Sequence, residues 1–393
     1  MTTNAAATSA PTGWLSGLQS AARAAYEAAP LPNRVAHLWR YTDPALFVPG
    51  GGGLAPAVDA LVDAEAPDGV LVEELGERVR ERGTEIRPLL GSLVPHGFGK
   101  FEALNAASWR RGTYVRVPRG AVLEAPIHLR AAAPLEGRAA PRLLAVIDEG
   151  AEATIVDEII GGTPSAAHPA WVHGVAEIFV GPGARLRYLL VERSGAGVRH
   201  HATHRIRVGP GGSATTVIAS VGGGVVKTDL GVLLEGEGAE SETAGVAFGH
   251  GRQHVDQHTV LHHLAPRTRS RLDLKAVLKD RARSIYTGLI RIERSAPFSD
   301  AYQENRNLLL SEGARAESIP ELEILVEEVA CKHGATIGPI DEDTLFYLMS
   351  RGLPRADAIR IVVEGFIDPT LARLPEASAE VVRRILADRL KAL

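Results

Sequence analysis

The sequence has a single cysteine in 393 residues. No internal disulfide can form, and a lone thiol fits a reducing compartment. Apolar runs of about 18 residues are missing, so no membrane span is expected. Met1 to Gly13 has neither a basic start nor an apolar stretch. No export signal is therefore expected, and the chain reads as cytoplasmic. A charge excess is missing too: 43 basic residues face 47 acidic ones, a net charge of -4. A nucleic-acid coat needs a basic face, so that class is not expected. Aromatic residues are scarce at 5%, while glycine is abundant at 41 residues. That pairing suits many tight corners around a thin core of small aliphatics. The length suggests two or three domains, with enough chain to bury a large core.

Helical periodicity is confined to the two ends. Trp14 to Ala29 carries Leu15, Leu18, Ala22 and Tyr26 at helical spacing, and Pro30 and Pro32 end it. Gly50 to Gly53, followed by Pro56, reads as a linker, and Met1 to Ser9 as a frayed start. Leu71 to Arg82 reads as a further helix, and Phe101 to Trp109 as a short amphipathic piece leading into the middle of the chain. From Thr113 the period becomes two. It recurs in Tyr114–Val117, Leu143–Ile147, Ala176–Val180, His204–Val208, Leu230–Leu234, Val255–Leu261 and Leu272–Val277, among others. These are strands.

The corners between strands repeat. Glu149-Gly150-Ala151 resembles Pro182-Gly183-Ala184, Gly211-Gly212-Ser213, Glu237-Gly238-Ala239 and Glu312-Gly313-Ala314, with Asp280-Arg281-Ala282 a degenerate copy. A loose repeat of roughly 20–50 residues built from strands and glycine corners predicts a β-solenoid. A large β-sandwich with coincidental Gly-Ala turns is the alternative. After Gly338, Asp341-Glu342-Asp343 opens a helix, and two more follow at Ala356–Gly365 and Ala377–Leu390. The expected organisation is a helical region with linker over 1–108, a β core over 109–339 and a helical region over 340–393.

Nucleotide chemistry finds no support. Gly97-Phe98-Gly99-Lys100-Phe101 lacks the first glycine and the hydroxyl of a phosphate loop, so ATP binding by this chain is not expected. No Gly-x-Ser-x-Gly elbow is present. His250, His254, His258 and His262 recur every four residues, with Asp256 among them and His263 after. On a strand that step is about 13 Å, too far for one metal to bridge two of them. The stretch reads as a polar exposed face, with a site shared with His200, His201 and His204 on a neighbouring rung as the alternative. Cys331-Lys332-His333 remains. If Glu323 to Cys331 is the last strand, Cys331 and His333 point the same way about 6.6 Å apart. An imidazolium or Lys332 nearby would favour the thiolate; a buried structural cysteine is the bland reading. An iron–sulfur cluster needs about four protein ligands. One thiol cannot supply them, so any cluster role must borrow ligands from another chain.

Several blocks carry a resemblance. Asn307-Leu308-Leu309-Leu310-Ser311-Glu312-Gly313-Ala314, Pro320-Glu321-Leu322-Glu323-Ile324, Cys331-Lys332-His333-Gly334-Ala335-Thr336-Ile337-Gly338 and Leu345-Phe346-Tyr347-Leu348-Met349-Ser350-Arg351-Gly352 resemble the SufB/SufD family of iron–sulfur cluster assembly scaffolds. Ala103-Leu104-Asn105-Ala106-Ala107, Val117-Pro118-Arg119-Gly120 and Trp39-Arg40-Tyr41-Thr42 extend it upstream. The SufB branch carries a cysteine in the stretch matching Tyr302 to Asn307 and a glutamate after the matching histidine. Here the cysteine is missing and Gly334 follows His333, so the likeness is to the SufD branch. The resemblance implies a right-handed parallel β-helix with helical ends, acting as a non-catalytic scaffold. It implies pairing with SufB through the β-helix and docking of the SufC ATPase on the tail, Asp341 to Leu371. For that docking Leu345, Phe346, Leu348, Met349, Ile359 and Phe366 are the candidates. It further implies a transient cluster at the shared interface, with His333 the first ligand from this chain and Cys331 the second. A flavin is associated with such complexes, but no flavin motif is visible. A homodimer of the isolated chain stays open. On fold alone, a β-helical carbohydrate-active enzyme and a self-polymerising filament are the competing classes; polar helical ends capping the solenoid would oppose the filament.

Overall fold

The computed structural model describes residues 12–35, 37–50, 62–65, 69–162, 165, 167–372 and 376–391. The expected frayed start, Met1 to Ser9, and the glycine run at 51–53 with Pro56 lie outside them.

Two long sheets form the body. The first runs β1 (Val62–Glu65), β4 (Ile127–Ala133), β7 (Glu152–Gly161), β9 (Arg185–Glu192), β11 (Ser213–Ser220), β13 (Glu240–Gly249), β15 (Arg269–Leu278), β17 (Asp300–Leu309) and β19 (Ala330–Pro339). The second runs β18 (Arg315–Ile324), β16 (Arg283–Ile292), β14 (His254–His263), β12 (Val225–Leu234), β10 (Val198–Val208), β8 (Ala170–Val180), β6 (Arg142–Ile147), β3 (Thr113–Val117) and β2 (Leu71–Glu74), with β5 (Arg138–Ala139) beside β8. From β3 onward the chain alternates between the sheets and pairs parallel, which makes a β-solenoid of about eight turns. Val225 lies beside His254 and His254 beside Arg283, a repeat of 29 residues. The sandwich alternative is thereby set aside.

The corners work by two devices. Gly150 and Gly183 take φ of 67° and 64°, the left-handed region that side chains avoid. In the next corner Gly211, not Gly212, takes it, and in the degenerate copy Asp280 does. Gly313 instead serves close approach: a Cβ there would lie 2.5 Å from the Asp280 carbonyl oxygen. The alanines that follow, Ala151, Ala184, Ala239, Ala282 and Ala314, are fully buried. They fill a lumen lined by Val, Ile, Leu and Ala with Tyr188 and Tyr286. Small inward residues let the two sheets approach closely, which is why so few aromatics suffice.

At its start the solenoid is closed by antiparallel strands. β1 pairs with β4 and β2 with β3, which protects both sheet edges. This corrects the helix expected from Leu71. Leu71–Glu74 is strand, and the helix α2 spans Leu75–Ile86, begun by the Glu74 carboxylate accepting from the Gly76 and Glu77 amides at 2.9 and 2.8 Å. Helices α1 (Thr12–Ala28) and α3 (Lys100–Ser108) pack together, and Trp39, Phe47 and Phe101 cluster above the second sheet.

At the far end, among the described residues, no strand pairs with the outer edge of β18 or β19, so each has one neighbour. The last strand is Ala330–Pro339, not Glu323 to Cys331. Between Ile324 and Ala330 the chain crosses from one sheet to the other, with the Leu325 amide donating to Ile292 and the Ala330 amide to Ser299. The helices α4 (Glu342–Ser350), α5 (Arg355–Leu371) and α6 (Glu376–Lys391) do not cap this end. Val363, Ile367, Leu371, Val382 and Leu386 lie against Val191, Val217, Val246 and Phe248, along the outer side of the first sheet. Lys275 Nζ donates to the Phe366 carbonyl at 2.5 Å and Thr370 Oγ1 to Asp273 at 2.8 Å, pinning α5 in place.

Candidate functional site

The open end of the solenoid carries the thiol. Ala301 lies beside Cys331 and Gln303 beside His333. Ala301 belongs to the lumen core, and Gln303 receives the Tyr286 hydroxyl at 3.1 Å inside it. Alternation therefore puts Cys331 and His333 on the lumen wall of the last strand, and Lys332 on its outer side. Cys331 is half-buried against the core, whereas His333 is exposed because no further turn covers it. Leu322 and Ile324 on β18 and Ile337 on β19 complete an apolar mouth, each about two-fifths exposed (38%, 40% and 46%).

The expected thiolate is not favoured. Burial pushes the Cys331 thiol up to about 11, and the Asp300 carboxylate adds to the shift. Lys332, on the outer side of the strand, does not offset this. Among the described residues no three His, Cys, Asp or Glu side chains converge on a common point. Cys331 and His333 are two donors, and a cluster carried here would be cargo needing ligands from elsewhere.

The histidine stretch forms a strand as expected, but it is not an exposed face. His258 and His263 are buried and His254 is largely covered. Each has its own partner. His254 Nε2 meets Thr42 Oγ1 at 2.8 Å, His258 Nδ1 meets Asp229 at 2.9 Å and His262 Nε2 meets Glu293 at 3.0 Å. His263 bridges Thr268 and Ser270, and His250 accepts from Arg389 at 2.5 Å. The strand holding His200, His201 and His204 is two rungs away, with β12 between.

What covers the stretch is the N-terminal segment. Trp39 stacks on His201 with ring centroids 5.6 Å apart, and Lys227 Nζ lies 5.0 Å from the Trp39 ring. Beneath it runs a buried polar network. Lys227 pairs with Asp256 at 2.8 Å, and Thr42 also donates to Asp256. Arg205 pairs with Asp229 at 2.8 Å. Burial alone would raise the Asp229 carboxyl, but Arg205 and His258 overcome it and hold it far below the usual range. Burial raises Glu102, which receives the Thr203 hydroxyl at 2.5 Å, and holds His201 well below the usual imidazole value. Sequence reasoning missed this network. Its signal was Trp39-Arg40-Tyr41-Thr42, read there only as a likeness.

The tail candidates divide. Leu345 is fully buried with Ile340 and Ala358, so it holds α4 in place and offers no surface. Leu348 and Ile359 are half-buried against the same cluster. Phe366 packs toward the first sheet, with Lys275 5.1 Å from its ring. Phe346 and Met349 stand exposed, as do Tyr347 and Ile361.

Residues 130–366 match the family described as SUF system FeS cluster assembly, SufBD core domain. An iron-sulfur cluster assembly SufBD family protein of Staphylococcus epidermidis is 29% identical over 321 residues, covering 81% of this chain and 68% of its own. Proteins of the same description from Staphylococcus saprophyticus and Staphylococcus aureus are also 29% identical, with the same coverage. The matched region runs from within β4 through most of α5, and so holds the open end with Cys331 and His333. The chain belongs to the SufBD family of iron–sulfur cluster assembly proteins.

Proposed function

We propose that this chain is a SufD-type scaffold subunit, working in the cytoplasm and catalysing no reaction itself. Its open end pairs with a SufB-type chain, and the exposed face of α4 docks a SufC-type ATPase. A nascent iron–sulfur cluster sits as cargo at the shared interface, held from this side by His333 and, second, Cys331. The observation that carries the reading is the uncapped last turn. Two strand edges and an apolar mouth are left without a neighbour, and a thiol and an imidazole stand on their wall. Unpaired edges invite another strand, and two donors need two more. Gly334 after His333, and the missing cysteine in Tyr302 to Asn307, support the SufD side. Membership of an assembly family leaves the carbohydrate-active reading without support.

The test is reconstitution. Co-expression with SufB-type and SufC-type chains should yield a three-component complex. His333→Ala should leave that complex intact while cutting cluster absorbance after iron and sulfide loading. Unchanged cluster yield would remove His333 from the ligand set. SufC-type binding that survives deletion of 341–393 would remove the tail from the docking role.

A further inference from the structure

The corners that lead into the first sheet stack along one edge of the solenoid. Their left-handed positions are, in order, Gly150, Gly183, Gly211, Gly238, Arg267 and Phe298. Each amide donates to the corner of the next turn: Gly238 to Pro266 at 3.1 Å, Arg267 to Pro297 at 3.0 Å and Phe298 to Glu328 at 2.6 Å. The backbone demand is the same at every step, and four times glycine meets it. At the last two steps, beside the open end, bulky residues take φ of 56° and 62°. Glycine would fit there without strain, so the side chains are kept for something outside the lumen. Phe298 is 62% exposed, with Arg267 Cζ 5.9 Å from its ring. Arg267 in turn pairs with Glu237. Next to Phe298, on the final corner, Glu327 and Glu328 are exposed and have no ion-pair partner among the described residues.

We propose that Phe298 is the seating residue of the pairing surface. It enters an apolar hollow, rimmed by basic side chains, on the SufB-type chain that continues the solenoid. This rests on the pairing proposed above. The occupant follows from position and charge: Phe298 adjoins the two unpaired strand edges, and two uncompensated carboxylates flank it. A ring standing at the corner, off the strand axis, fixes the rotation of one solenoid on the other, which edge pairing alone leaves loose.

The backbone strain supplies a test with opposite signs. In Phe298→Gly the left-handed corner is kept and its strain removed. The melting temperature of the isolated full-length chain should be unchanged or higher. The dissociation constant for a co-expressed SufB-type chain, by sedimentation, should rise roughly tenfold or more, as for loss of a buried aromatic anchor. Phe298→Asn, which also tolerates the corner, should behave alike. A dissociation constant within twofold of wild type, or a lowered melting temperature in both variants, overturns the proposal. If wild type fails to pair at all, the function reading falls as well. If instead wild type forms a homodimer that Phe298→Gly weakens, the partner is a second copy and the assignment to a SufB-type chain is overturned.

Discussion

The single thiol makes one consequence of the geometry directly measurable. Burial and the Asp300 carboxylate raise Cys331 from an ordinary 9.0 to about 11. At pH 8 an ordinary thiol is about one-tenth thiolate, while one with pKa near 11 is about one-thousandth. The thiolate is the reacting form, so iodoacetamide should label the folded chain roughly a hundredfold more slowly than the same chain in urea. The measurement is intact-mass spectrometry over time. It is clean because no second cysteine competes. The rate should keep climbing with pH beyond 9, where a normal thiol levels off. Asp300 is held ionised by Arg271, so Asp300→Asn removes a real charge and should speed labelling several-fold. Folded-state labelling within about threefold of the urea rate would refute the reasoning. It would mean that the mouth is wetter than its packing implies, or that Lys332 reaches the sulfur. On the proposed reading, slow labelling is also the expected resting state: the proton leaves when iron takes its place, not before.

Other expectations concern what holds the scaffold together. Asp256→Ala leaves Lys227 buried beside Trp39 without its counter-charge and should cost about 3–5 kcal/mol in urea unfolding. The double change Lys227→Met with Asp256→Leu should recover most of that, and a single-variant cost below about 1 kcal/mol would mean that water reaches the pair. Leu345→Ala, at a fully buried position, should cost about 2–5 kcal/mol. Phe346→Ala, at an exposed one, should stay within about 0.5 kcal/mol of wild type while weakening SufC-type binding. Equal stability losses at the two positions would reverse the assignment of α4's inner and outer faces.

The solenoid was legible because its rule is local. A left-handed corner favours glycine, a buried position next to it favours alanine, and the pair recurs in several turns. Gly150-Ala151 and Gly183-Ala184 state that rule in adjacent letters. The start of α2 was misread for a local reason as well. Leu71-Val72-Glu73-Glu74 continues the apolar spacing of α2, and only the edge offered by Thr113–Arg116 turns it into strand.

The remaining errors share a different cause. Each depends on a neighbour that is close in space and distant in sequence. His254 and His258 alternate like a solvated face, yet an irregular segment two hundred residues earlier lies over them. That segment, with Trp39 and Thr42, has no period to betray it. Lys332 is adjacent to Cys331 in sequence yet does not lower its thiol, while the Asp300 carboxylate, on the preceding turn, adds to the upward shift. In a solenoid every residue has two sets of neighbours, those along the chain and those one turn of about 29 residues away. The chain neighbours shape the backbone, and the turn neighbours set charge and burial. Cys331 and His333 have turn neighbours on one side only. Their chemistry is therefore the part of this protein that its own sequence leaves open, and on the proposed reading a second chain at the uncapped end completes it.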